Sequence, residues 1–122
     1  MNNQNLTLNF SLTKEEIDQM PIPPNRLLAL IPSEQCKAIQ DLIIDTLADR
    51  DGAPELEELE IKSLQYDIKY RQGTFRMHFF VTRRFCCSDQ ESCTRDYVDW
   101  KFIIEDDRLL ADATYINWTL DN

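Results

Sequence analysis

Between Leu64 and Tyr115 apolar residues fall on alternate positions, interrupted by short polar turns. A period of two can bury its apolar side chains only on one face of a sheet, so this half of the chain must be built from strands. The first hairpin can be registered from its turn. A two-residue loop at Gln72-Gly73 sets Tyr70, Ile68, Tyr66 and Leu64 against Phe75, Met77, Phe79 and Val81 on the apolar face. The polar face then pairs Lys69 with Arg76, Asp67 with His78, Gln65 with Phe80 and Ser63 with Thr82. A shift by one residue would scramble the two faces. The second hairpin turns near Asp106-Asp107. It sets Val98, Trp100, Phe102 and Ile104 against Leu109, Ala111, Ala113 and Tyr115, with small alanines opposite the largest rings. Lys101 and Asp112 face each other on its other side.

The first half of the chain reads as mostly helical. Leu6, Leu8, Phe10 and Leu12 alternate with polar residues, which predicts a short strand or an extended arm. Thr13 and Glu16 make a capping box for a short helix, which Pro21, Pro23 and Pro24 end. Another apolar turn or two fits Asn25 to Ile31. Ser33 is the expected cap of the main helix, with Glu34 at the positive end of its dipole. Cys36, Ile39, Ile43 and Leu47 form the apolar stripe of that helix, and Asp51-Gly52-Ala53-Pro54 is its expected end. Residues 1–122 are therefore expected to form one α+β domain. A four-stranded antiparallel sheet of two consecutive hairpins carries the main helix on its apolar face, with an extra N-terminal strand and short helix. That outline is similar in layout to cystatin-like and NTF2-like folds.

The chain is poorly equipped for catalysis. Only Gly52 and Gly73 are glycines, so a glycine-rich phosphate loop is excluded. His78 is the single imidazole. The hairpin register brings Asp67 opposite it, a pairing that can orient a catalytic ring. The nearest hydroxyls, Ser63 and Thr82, lie two pairs along the ladder, about 10 Å or more away. Cys86, Cys87 and Cys93 do not have zinc-knuckle spacing. They are expected to be free thiols, the alternative being a loop-stapling disulfide in an oxidising compartment. Cys36 is expected to be core. Glu55 to Glu60 lacks the alternating ligands and central glycine of a calcium loop. No cofactor or metal is expected, and an enzymatic role is disfavoured.

Charge offers the remaining signal. The formal net charge is −9, and it is lopsided: 12 acids against 4 bases through Glu60, then 10 acids against 9 bases. Such a chain is not expected to bind nucleic acid or an anionic membrane directly, since both are bound through lysine and arginine. With no apolar run near 18 residues and no leader-like start, a cytoplasmic location is expected. The acidic series Asp41, Asp45, Asp49, Asp51, Glu55, Glu57, Glu58 and Glu60 is the expected docking surface for a basic protein partner. A non-enzymatic inhibitor or immunity-type protein is the leading reading. The rival is a cystatin-like or NTF2-like domain with a ligand-binding or catalytic pocket between helix and sheet, lined by Tyr66, Tyr70, Trp100 and Tyr115. Phe80, Tyr97, Ile103 and Ile116 on the sheet's outer face suggest a homodimer contact compatible with either.

Overall fold

The computed structural model describes residues 2–47, 52–85 and 90–117. Five antiparallel strands form one sheet in the order β1-β5-β4-β3-β2. They are β1 (Asn2–Ser11), β2 (Glu55–Asp67), β3 (Gln72–Phe85), β4 (Gln90–Glu105) and β5 (Arg108–Asn117). Helices α1 (Lys14–Asp18), α2 (Pro24–Leu30) and α3 (Ser33–Thr46) join β1 to β2 and therefore span the sheet from one edge to the other. The helix α2 rests on β2, and α3 rests mainly on β1. The expected N-terminal strand is thus a full member of the sheet. No helix among the described residues is long and apolar enough to cross a membrane.

The core lies between helices and sheet. From β1 it takes Leu6, Leu8 and Phe10; from α3, Ile39 and Ile43; from the central strands, Phe75, Met77, Phe79, Val98, Trp100, Phe102 and Leu109. The α1 capping box forms as the sequence predicts: Glu16 N–H donates to Thr13 Oγ1 at 3.2 Å, and Thr13 N–H to Glu16 Oε1 at 2.7 Å. The main helix departs slightly from expectation. Pro32 is its N-cap and Ser33 its first residue. It ends earlier than Gly52, with Leu47 already extended and buried.

The second hairpin has the predicted register, Trp100 opposite Ala113, Phe102 opposite Ala111 and Lys101 opposite Asp112. The first does not. Its loop is Ile68 to Arg71 rather than Gln72-Gly73, and Asp67 pairs with Gln72. The Asp67 carboxylate accepts the Lys69 N–H at 2.9 Å, a side-chain turn that outcompetes the tighter loop. Ile68 and Tyr70, expected in the core, are 77% and 61% exposed. Gly73 serves close approach instead of turning. It lies in β3 between Tyr66 and Phe102, whose rings stack across it with centroids 6.1 Å apart. A Cβ there would run into the Gln65 carbonyl and come within 2.6 Å of the Phe102 ring.

Two bulges explain the rest of the shift. The β2–β3 register slips between Glu57 and Glu60 and again between Lys62 and Gln65. Glu58 (φ 55°) and Ser63 (φ 58°) adopt the left-handed conformation of a bulge residue. Each bulge moves the inward phase of β2 by one position. The strand therefore turns Leu56, then Leu59 and Ile61, then Leu64 and Tyr66 toward the core.

Candidate functional site

The first bulge also organises the acids. A regular strand would send Glu57 and Glu60 to opposite faces. With Glu58 inserted, Glu55, Glu57 and Glu60 all take the outer face, opposite Thr82, Phe80 and His78 of β3. All three are exposed, on a strand that forms one edge of the sheet. The acidic run is therefore part of β2 rather than a lead-in to it. Lys62 continues the same column and its ammonium lies 3.7 Å from the Glu60 carboxylate. Glu58 is exposed at the bulge itself.

The neighbouring columns are cationic and aromatic. Arg76 donates two hydrogen bonds to Asp99, of 2.7 and 3.0 Å. Its guanidinium lies 4.1 Å from the centroid of the Tyr97 ring, and the Arg95 guanidinium 5.4 Å from that of Phe80. The Arg76 hydrogen bond holds the Asp99 carboxyl below the usual carboxylate range, and Asp99 in turn raises Arg76. His78 sits beside Tyr97, ring centroids 6.2 Å apart. Desolvation lowers its pKa, and Lys62, Arg95 and Arg76 lower it further against the smaller pull of Glu60. Burial first, and then its cationic surroundings, thus hold the ring below the ordinary imidazole range.

The expected Asp67–His78 pair does not form. Asp67 stands at the loop, and Glu60 and Tyr97 are the cross-strand neighbours of His78. The physical reason is the loop: with Ile68 to Arg71 turning the chain, Asp67 pairs with Gln72, six positions from His78, and the two bulges only shift the more distant pairs further. Ser63, one of the two hydroxyls nearest in the expected register, is itself a bulge residue. Cys36 and Cys93 are free thiols, Cys36 half-buried and Cys93 exposed. Cys86 and Cys87 lie outside the described residues. Among the described residues no group of three or more His, Cys, Asp or Glu side chains is placed to hold a metal ion.

The acidic series divides into two groups. Glu55, Glu57 and Glu60 come together on the outer face of β2. Asp41 and Asp45 are exposed on α3, in the helical layer on the other side of the sheet. Asp49 and Asp51 lie outside the described residues. The aromatic side chains expected around one pocket are similarly dispersed: Trp100 and Tyr115 are each 1% exposed in the core, Tyr66 is half-buried, and Tyr70 is in the loop. Tyr115 donates to the Asp96 carboxylate at 2.6 Å. Burial and that acceptor push its phenol well above the ordinary range.

Among the described residues the outer face has three neighbouring grooves. One of them, of about 580 Å³, is bordered by Gln72, Thr74, Lys101, Ile103, Leu110 and Asp112. The other two flank it, and Lys101 borders all three. The insertions in β2 leave a trace in the sequence. Apolar residues at 56, 59, 61, 64 and 66 are spaced 3, 2, 3, 2, and each spacing of three marks an extra residue in a strand. No family model matches this chain, and no curated protein or solved structure matches it either.

Proposed function

We propose that this is a non-enzymatic protein that works by binding a basic protein partner, in the manner of an inhibitor or immunity protein. The observation that carries the reading is the column Glu55, Glu57 and Glu60: three exposed carboxylates in line on an edge strand, kept on one face by a bulge. A positively charged loop or helix of the partner meets there a row of carboxylates about 7 to 10 Å apart along the strand. Carboxylates so placed speed encounter and choose among partners more than they set affinity. Asp41 and Asp45 extend the negative field on the helical side. The outer face also favours binding over turnover, because none of the hydrogen bonds described for it joins its one imidazole to a carboxylate that would orient it as a base. The partner is expected in the compartment where the protein resides, the cytoplasm.

Affinity capture from native lysate at low salt tests this, with wild-type protein beside the variant Glu55→Lys/Glu57→Lys/Glu60→Lys. A basic protein recovered by the wild type and lost by the variant is the expected result, with binding that weakens steeply as salt rises. Recovery of the same proteins by both would remove the reading. So would turnover of any substrate that disappears on His78→Ala.

A further inference from the structure

The two edges of the sheet are treated differently, and β1 is the one left open. Natural edges are blunted by charges, prolines or bulges. The edge strand β2 carries five carboxylates and two bulges. The edge strand β1 has ten residues in unbroken register with β5. It has no charge, since the first charged residue of the chain is Lys14, and no proline before Pro21.

The direction of the open backbone groups follows from Asn9. Its N–H donates to the Gln35 side chain at 3.0 Å, and its carbonyl accepts from the same amide at 2.8 Å. Asn9 therefore points its amide and carbonyl away from β5. In an antiparallel ladder residues two apart share that direction, so Asn3, Asn5 and Thr7 present theirs to the edge as well. Gln35 of α3 acts there as a one-residue strand and closes the edge at Asn9. Among the described residues no equivalent plug reaches Asn3 or Thr7, and at Asn5 the neighbouring Gln4 amide donates to the carbonyl in a long 3.5 Å bond that a pairing strand would displace.

We propose that this open stretch pairs with the same stretch of a second copy, antiparallel about a two-fold axis at Asn5. That register sets Asn3 against Thr7 and Asn5 against its own counterpart, and makes up to about six backbone hydrogen bonds. It stops short of Asn9, where Gln35 already occupies the edge. A second copy suits this edge because its own β1 offers an uncharged stretch of the same length, ended at Asn9 by the same Gln35 plug. Two chains of net charge −9 repel, and β1 is the edge at which they meet without bringing a carboxylate into the contact. The product is one continuous sheet of ten strands, with both acidic β2 edges at its far ends. This contact differs from the sheet-face dimer that the sequence suggests, and it does not depend on the proposed partner binding.

Sedimentation velocity on the full chain, over about a hundredfold range of concentration, tests it. The wild type is expected to reach twice the chain mass of 14.4 kDa. The exposed Asn5 is then replaced. Asn5→Lys and Asn5→Asp each place like charges opposite one another across the axis, so each is expected to remain at the single-chain mass. An equal mixture of the two is expected to recover the dimer, because opposite charges then face each other. Hydrogen exchange on the wild type provides a second readout. The amides of Asn3, Asn5 and Thr7 gain protection as concentration rises, and Asn9 is protected throughout. A wild type that stays at 14.4 kDa, a dimer that survives Asn5→Lys, or a mixture that stays monomeric would overturn the proposal. Protection that appears only on adding an extended peptide would overturn it too, by assigning the edge to a partner's strand.

Discussion

The two edges of this sheet solve the same problem in opposite ways. In β1, Leu6, Leu8 and Phe10 alternate without interruption and are 0%, 2% and 4% exposed. In β2 the inward residues come at intervals of three and two, and only Leu56 and Ile61 are fully buried. The first edge is regular, uncharged and firmly seated against α3. The second is bulged, acidic and more loosely anchored. A regular edge keeps its backbone groups in a pairing geometry, whereas a bulged one loses that geometry and gains a freely chosen side-chain face. On this molecule the bulged edge carries the aligned carboxylates that we propose a partner reads, and the regular edge carries the backbone groups that we propose a second copy pairs with.

The difference in anchoring predicts the largest contrast. Leu8→Ala in β1 should cost about 3 kcal/mol, since the side chain is fully enclosed. Leu59→Ala in β2 should cost about 1 kcal/mol, because the site is half open and can collapse. Urea denaturation of both variants measures the gap, and equal losses would break the comparison. Gly73→Ala comes next, at about 2 kcal/mol. The added methyl must displace a backbone carbonyl and the Phe102 ring, which is the overpacking case. A neutral result by the same measurement would mean that the Tyr66–Phe102 stack moves freely.

Smaller effects sharpen the picture of the bulged edge. Glu58→Gly should raise stability by about 0.5–1 kcal/mol, because glycine adopts the left-handed conformation without the side-chain penalty. The thermal midpoint should rise accordingly, and a fall would mean that the Glu58 side chain stabilises the bulge. The smallest effect concerns His78. Its folded pKa lies below 6.5, so the unfolded chain takes up the proton first as pH falls. Its contribution to stability is therefore complete above pH 6.5 and declines below it. NMR titration of the ring should place its midpoint under 6.5, and replacing Lys62 or Arg95 by Gln should move it upward.

Much of the architecture is legible in the residues. The Thr13–Glu16 box, the Ile39–Ile43 stripe and the Trp100/Ala113 and Phe102/Ala111 pairs each follow from local chemistry or from one hairpin whose turn is tight. The β3 faces were equally readable, Phe75, Met77, Phe79 and Val81 inward. The failure lay in β2. Alternation through Leu64, Tyr66, Ile68 and Tyr70 suggests a regular strand, and Gln72-Gly73 resembles a turn. Both signals are local, and both yield to the fit of Tyr66 over Gly73 against Phe102.

By itself, then, the order of residues determined the elements, the inward face of the central strands, the acidic bias and the lack of a phosphate loop, because these depend on periodicity, capping and composition. Only the tertiary structure decided which strands became edges, where β2 inserts its extra residues and which carboxylates align. Those outcomes depend on pairing between segments far apart in the chain. One inserted residue shifts every partner beyond it, and although the uneven apolar spacing of β2 hints at insertions, only its pairing with β3 fixes which residues bulge.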